Sequence, residues 1–327
     1  MILSPSPHVV LALRFQIEGA LVSVRTRMKT IGPVSYLAVG MLAAIVGLLP
    51  WLVTGMRLPV QNLGAITSSP ETMPIALLPF SQYTITLLVA VMVTGSAIAG
   101  GLARATRVQH PRFVVTATII GVLVVQVVAT VQTAATVASG LEESRRAAVY
   151  LSVLTAATVA ASLVGLLILV LIARAPAAGA TVAVSLATVA LSVWLRAFIP
   201  QPVDVATNEM TMALLGAVRW VPAVIVGLAV AMCGLGTIGR VAAAIVSFLT
   251  LWIGPAVFTA VSAAAGARVL AAYPAEMPDY GAQVFVGALG VQGGSLSLLV
   301  PAISVLILGL VVRWALRRHR LERAAPA

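Results

Sequence analysis

Eight apolar runs dominate this chain, and their length limits what it can fold into. Each run is long enough for an α-helix to cross a hydrocarbon layer of about 30 Å, where the backbone must satisfy its own hydrogen bonds. Of the 327 residues, 61% are hydrophobic and only 9% are charged, whereas soluble domains carry about 25% charged residues. The sequence therefore predicts an all-α, polytopic membrane bundle of about eight transmembrane helices, over residues 33–54, 81–102, 113–139, 149–173, 178–199, 213–236, 241–264 and 295–314.

The distribution of basic residues predicts how this bundle is oriented. Fourteen of the 20 Lys and Arg residues lie before the first run, at or beyond the end of the last, or in the alternate connections on that same side. Because cytoplasmic connections are enriched in Lys and Arg, we expect both termini to be cytoplasmic and the number of spans to be even. The Arg, Ala and Val bias is typical of a GC-rich bacterium. We therefore predict a multi-pass protein of the bacterial plasma (cytoplasmic) membrane.

The two ends of the chain have patterns of their own. Residues 1–31 contain an apolar stripe with basic residues on another face, which predicts an amphipathic helix on the cytoplasmic membrane surface. The alternative is a docking helix for a cytoplasmic partner. Residues 32–314 then form the transmembrane bundle, and residues 315–327 form a basic cytoplasmic tail. The stripe consists of Val10, Leu13, Ile17, Leu21, Val24 and Met28.

Two proline-bounded corners fall in outer connections of similar length. They read PETMP at residues 70–74 and PAEMP at 274–278. Ser69 is placed to cap a short helical turn at the first corner, and Pro278 to begin a short helix at the second. One hypothesis is that the chain consists of outward-pointing hairpins of common ancestry. The alternative is that both corners are solvated turns, with prolines to reverse the chain and acids for solubility.

Charged residues near the predicted outer surface are candidates for a substrate-binding mouth. An Arg near hydrocarbon either extends to the membrane interface or pairs with an acid. If the acids of the connections pair with Arg196 and Arg219, near the outer ends of the fifth and sixth spans, these connections fold over a polar mouth. The candidate residues are Arg57, Glu71, Arg196, Asp204, Glu209, Arg219, Glu276 and Asp279.

The third span carries the most polar helix interior. Gln126, Thr130 and Thr133 share one face, and Gln132, Thr136 and Ser139 form a second stripe. Polar side chains within a membrane usually hydrogen-bond a neighbouring helix, and the alternative is a substrate path. The stretch GSAIAGG at 95–101 in the second span predicts close helix packing through small residues. Asp, Glu, Lys and His are absent from span interiors, which disfavours proton coupling within the membrane.

Several classes of function lack the residues they need. Cys233 is the only cysteine, and the sequence contains neither HExxH nor GxSxG. The stretch GLGTIG at 234–239 matches a dinucleotide fingerprint in letters, but it ends an apolar helix instead of following a strand in a βαβ unit. We therefore expect no catalytic residues, no metal, no cofactor and no nucleic-acid partner. The net charge of +11 is accounted for by membrane topology.

Three classes of function remain open. The sequence favours a transport subunit of the permease type, for a solute or lipid, whose partners are the lipid bilayer and either a cytoplasmic ATPase or another membrane protein. A scaffold for envelope assembly, without transport activity, is the first alternative. An enzyme acting on a lipid-linked substrate at the outer leaflet is the second, because outer acids and arginines are able to bind phosphate.

Overall fold

The computed structural model describes residues 32–58, 73–106, 113–141, 144–199, 209–267, 273–290 and 293–324. The predicted surface helix over residues 1–31 lies outside the described residues. So do Ser69, Pro70 and Glu71 of the first corner.

Within the described residues the chain forms nine α-helices. Eight of the helical segments are long and apolar enough to cross a membrane, which confirms an all-α integral membrane bundle. The one remaining helix among the described residues is short and begins at Met277 with a proline in its first turn, as the sequence predicted for the second corner. The helices are α1 Pro33–Val53, α2 Ile85–Thr106, α3 Val114–Gly140, α4 Arg145–Arg174, α5 Ala177–Arg196, α6 Glu209–Cys233, α7 Ile238–Gly266, α8 Met277–Leu289 and α9 Leu299–Ala324.

In the part of the chain that the structure describes, three 3-10 turns precede helices: Gln82–Thr84 before α2, Pro274–Glu276 before α8 and Leu296–Leu298 before α9. Two of the helices begin with a side-chain N-cap. The Ser144 hydroxyl accepts a hydrogen bond from the Ala147 N–H at the start of α4, and Thr237 does the same for Arg240 at the start of α7. These side chains satisfy amide groups that have no partner within the helix.

Contacts between helix ends show that the spans alternate in direction. We call the side where α1 ends and α2 begins the loop side, and the opposite one the terminal side. On the loop side, the Trp194 indole near the end of α5 donates to the Gly47 carbonyl of α1 at 2.7 Å. On the terminal side, Arg104 at the end of α2 donates to the Ile172 and Ala175 carbonyls at the end of α4.

Arg313 repeats this arrangement in the second half of the bundle. Its Nη1 donates to the Ala231 carbonyl and, at 2.8 Å, to the Met232 carbonyl at the end of α6. Arginine therefore caps two helix C-termini on the terminal side, where unpaired carbonyls carry partial negative charge. The first span begins and the last ends on this side. Its assignment as cytoplasmic stays a prediction from the basic residues.

Glycine lets α1 lie unusually close to two neighbours. A Cβ on Gly40 would sit 2.2 Å from the Thr118 carbonyl oxygen of α3, and a Cβ on Gly121 would sit 2.1 Å from the Leu37 carbonyl oxygen of α1. Gly47 of α1 meets Gly95 of α2 in the same manner. Close backbone approach at small residues is how helices pack where lipid removes the hydrophobic driving force.

Buried clusters of apolar side chains in both halves of the bundle follow from this packing. Helices α1 to α5 enclose side chains such as Leu88, Met92 and Leu169. Helices α6, α7 and α9 enclose a smaller core around Val226, Leu251 and Leu306. Helix α5 lies between them, since it contacts α2 and α4 on one side and α6 and α7 on the other.

Candidate functional site

On the loop side, an extended segment packs into the bundle after α1. Residues 73–81 run without helix, and Ile75 forms an isolated antiparallel bridge with Arg57. Ala76, Leu78 and Phe80 are almost fully buried, at 0%, 0% and 1% exposure. Buried non-helical backbone needs hydrogen-bond partners other than its own chain neighbours, and the bundle supplies them.

Side chains of α3 are the main partners of this extended segment. The Leu77 N–H donates to Gln132 Oε1 at 2.9 Å and the Leu78 N–H donates to Thr133 Oγ1 at 2.9 Å. Gln132 Nε2 donates back to the Ile75 carbonyl at 3.1 Å. Two further hydrogen bonds come from other helices. The Trp51 indole donates to the Ala76 carbonyl at 2.7 Å, and the Tyr150 hydroxyl accepts from the Gln82 N–H at 3.3 Å. Part of the polar pattern of the third span therefore binds loop backbone.

Gln126, about two turns deeper in α3 at 3.6 residues per turn, holds two helices together. Its Nε2 donates to the Met92 carbonyl and the Ser96 hydroxyl of α2, both at 3.1 Å. Its Oε1 is buried without a hydrogen-bond partner among the described residues. Thr130 donates only to the Gln126 carbonyl of its own helix. These contacts are those of helix packing.

Helix α8 does not lie on the loop-side surface but folds back along α7. Its Gly281 lies beside Ala264 near the end of α7. Its last carbonyl, that of Leu289, accepts a hydrogen bond from the Trp252 indole at 3.0 Å. About 21 Å of helix axis separates Trp252 from either end of α7, at a rise of about 1.5 Å per residue. Helix α8 therefore ends halfway across the bundle.

The chain turns at this depth and enters α9. We call residue 290 with residues 293–298 the α8–α9 turn. Gly294 has a φ of +79°, in the left-handed region that favours glycine. Ser295 is buried, and the 3-10 turn Leu296–Leu298 leads into the helix. The eighth span is thus preceded by a re-entrant helix and a glycine-rich break.

Arg219 of α6 faces the α8–α9 turn. Its Nη2 donates to the Gly294 carbonyl at 3.1 Å and to the Ser297 hydroxyl at 2.8 Å, and its guanidinium lies 5.1 Å from the centre of the Trp220 ring. About 15 Å of helix axis separates Arg219 from Glu209 and about 21 Å separates it from Cys233, at about 1.5 Å per residue. Arg219 thus lies deeper in its helix than the sequence predicted.

The other candidates for the predicted mouth lie apart from this turn or outside the described residues. Arg57 is exposed and donates to the Met73 carbonyl at 3.2 Å. Among the described residues, neither Arg196 nor Arg219 forms an ion pair with an acid of the predicted mouth. The two arginines and the described acids are all exposed; these acids are Glu209, Glu276 and Asp279. Glu71 and Asp204 fall outside the described ranges. A mouth built from all eight residues remains a prediction.

Comparison of the chain with protein-family models, with curated proteins and with solved structures found no match.

Proposed function

We propose that this integral membrane protein is a transport protein of the permease type, and that its substrate site is the α8–α9 turn with Arg219. The observation that carries the proposal is a break in helical structure halfway across the bundle, facing an arginine. Irregular backbone at membrane depth is tolerated where it is buried in protein or lines a water-filled cavity. Transporters place substrates at discontinuous helices of this kind.

The arginine indicates the charge of the substrate. Intramembrane arginines mark pathways for ions and substrates because a charge in lipid is costly without such a role. Arg219 uses Nη2 for its hydrogen bonds to the α8–α9 turn, while its Nε and Nη1 have no protein acceptor among the described residues. A guanidinium with free donors binds carboxylate or phosphate in a bidentate manner. The proposed substrate therefore carries an anionic group.

We propose that a partner protein supplies the energy for transport. Apart from Glu209 at the first residue of α6, the eight candidate spans contain no Asp, Glu, Lys or His. Such residues form the proton relays of pumps. A cytoplasmic ATPase that engages the terminal side is the partner we propose.

Iodide quenching of Trp220 tests whether anions reach the site. The protein is reconstituted in liposomes, and the Trp220 signal is isolated by subtracting the fluorescence of a Trp220→Phe variant. We expect iodide to quench Trp220, because the ring lies beside Arg219 at the break. Arg219→Gln should lower the iodide quenching constant at least three-fold, while quenching by the neutral molecule acrylamide stays the same.

Arg196→Gln is the matched control, since it removes the same charge from an exposed position at the end of α5. It should leave iodide quenching of Trp220 unchanged. If Trp220 is shielded from both iodide and acrylamide, its environment is lipid and the α8–α9 turn is not a solute site. Equal effects of the two arginine substitutions would also contradict the assignment.

A further inference from the structure

An apolar groove runs between α7 and α8 on the loop side, and we call it the α7–α8 groove. Its volume is about 600 Å³, and none of its ten lining residues carries a polar or charged side chain. Val257 and Val261 of α7 are 42% and 44% exposed, and Pro278 and Ala282 of α8 are exposed as well. The described residues therefore leave the groove open on one side.

The α7–α8 groove is about as deep as one leaflet of a membrane. Its lining residues fall within 257–265 of α7 and 277–285 of α8, which is about 12 Å of helix axis in each case at about 1.5 Å per residue. One half of a hydrocarbon layer of about 30 Å is about 15 Å. The groove begins next to the loop-side end of α7 and stops before Trp252, where α8 itself ends. It therefore lies within the loop-side leaflet.

Small residues give the groove its width. A Cβ on Gly281 would lie 3.5 Å from the Ala264 Cβ, so no large side chain separates α7 from α8 at this point. Apolar walls that face a void lose their dispersion contacts, so apolar matter fills such a groove in a membrane. A methylene group takes up about as much space as a water molecule, about 30 Å³. A volume of about 600 Å³ therefore accommodates one acyl chain of a phospholipid.

Two acidic residues stand at the loop-side mouth of the groove. Glu276 and Asp279 flank the lining residues Met277 and Pro278 at the start of α8, and both acids are exposed. The last turn of α7 carries no basic residue, and Arg268 lies outside the described residues. Carboxylates at this level attract an ammonium group and repel a phospholipid with net negative charge.

We propose that the α7–α8 groove binds one phospholipid of the loop-side leaflet, with an acyl chain in the groove and an amine headgroup beside Glu276 and Asp279. A spanning helix of a second copy would need about 20 residues of contact, whereas the groove ends at half that depth. The proposal does not depend on transport. The groove shares no residue with Arg219 or the α8–α9 turn, so either proposal can fail alone.

Native mass spectrometry of the full chain in detergent tests this proposal, with phosphatidylethanolamine and phosphatidylglycerol of the same acyl chains as probes. We expect phosphatidylethanolamine to bind saturably at one site. It should bind only about three-fold more tightly than phosphatidylglycerol, because exposed ion pairs are individually weak. Val261→Phe should weaken binding of both lipids by about ten-fold or more, because the ring takes the space of the chain and its dispersion contacts. Ala282→Leu, on the α8 wall, should act in the same direction.

Val246→Phe is the matched control for Val261→Phe. Val246 is exposed to the same extent, 43% against 44%, but it lies about 22 Å further along α7, at about 1.5 Å per residue. This distance places it in the other leaflet, where α8 does not reach. Val246→Phe should leave the binding of both lipids unchanged.

The acids are tested separately from the groove. Glu276→Gln combined with Asp279→Asn should make the affinities for the two lipids equal while saturable binding persists, because the chain is still held. Equal effects of Val261→Phe and Val246→Phe would overturn the proposal, as would phosphatidylglycerol binding at least as tightly as phosphatidylethanolamine to the unmodified chain. A dimer that retains no lipid and that Val261→Phe dissociates would also overturn it and would assign the groove to a second copy.

Discussion

Replacing Gly121 with alanine should lower the free energy of unfolding by about 1–3 kcal/mol or more, the range for overpacking a well-filled interior. The new methyl group would meet the Leu37 carbonyl oxygen at 2.1 Å and the Met41 nitrogen at 2.9 Å. Both are backbone atoms of a long helix, so they cannot rotate away as a side chain would. Helices α1 and α3 would have to separate. Gly40→Ala should have a similar cost, because its methyl group would meet the Thr118 carbonyl.

Gly216→Ala makes the same chemical change where there is space. Gly216 lies in α6 with no atom within 4 Å of an added Cβ. Alanine there should be neutral or stabilising, by about 0.5–1 kcal/mol, because glycine weakens a helix interior. Thermal unfolding of the three variants in one detergent measures the difference. Equal midpoints for Gly121→Ala and Gly216→Ala would show that α1 and α3 are not in close backbone contact.

The second large effect is expected at the extended segment that follows α1. Combining Gln132→Leu with Thr133→Val removes the acceptors of the Leu77 and Leu78 amides. A buried donor left without a partner costs about 1–3 kcal/mol, so the pair should lower the free energy of unfolding by several kcal/mol. Hydrogen exchange at these two amides should accelerate in the same variant, since the segment is then free to open.

Thr130→Val provides the control within the same helix. The Thr130 hydroxyl bonds only the Gln126 carbonyl, four residues earlier, so its loss leaves no loop amide unpaired. We expect stability and exchange at Leu77 and Leu78 close to those of the unmodified protein. Unchanged exchange in the Gln132 and Thr133 double variant would mean that other groups hold residues 73–81.

The spans were predictable because a membrane imposes one length on every apolar helix. The first predicted span, 33–54, corresponds to α1 at Pro33–Val53, and the fifth, 178–199, corresponds to α5 at Ala177–Arg196. Charges and prolines mark where lipid ends, which is a local property. The predicted end of the last span, at residue 314, does not coincide with a helix end, because α9 continues as a helix to Ala324. Helix length alone does not show where the membrane stops.

The path of α8 was not predictable in the same way. Pro278 and the acids around it correctly indicated a short helix, but periodicity does not tell whether such a helix lies on a surface or folds back into a bundle. That choice depends on Trp252, which binds the end of α8 from another helix. The glycines and serines of the stretch GVQGGSLS at 290–297 were the available signal of a break.

Sequence periodicity also does not identify the partners of the polar residues. Their spacing placed Gln126 and Gln132 on two faces of one helix, yet their partners lie on another helix and in a loop. Arg219 was singled out for its charge near lipid. Its partners at Gly294 and Ser297 are remote in sequence, so the contact that underlies the proposed site is visible only in the tertiary structure.

Transport requires that the substrate site open to each side of the membrane in turn, and residue 290 reports this directly. Gly290→Cys, in a Cys233→Ala background, introduces a thiol at an exposed position where an added Cβ makes only an ordinary contact, 3.5 Å from the Gly287 carbonyl oxygen. Leu308→Cys, on the exposed face of α9, is the control for a position in lipid. A membrane-impermeant methanethiosulfonate is applied to vesicles of either orientation. We expect residue 290 to react from both sides and residue 308 from neither, whereas reaction of residue 290 from one side only, or from none, would contradict transport through the α8–α9 turn.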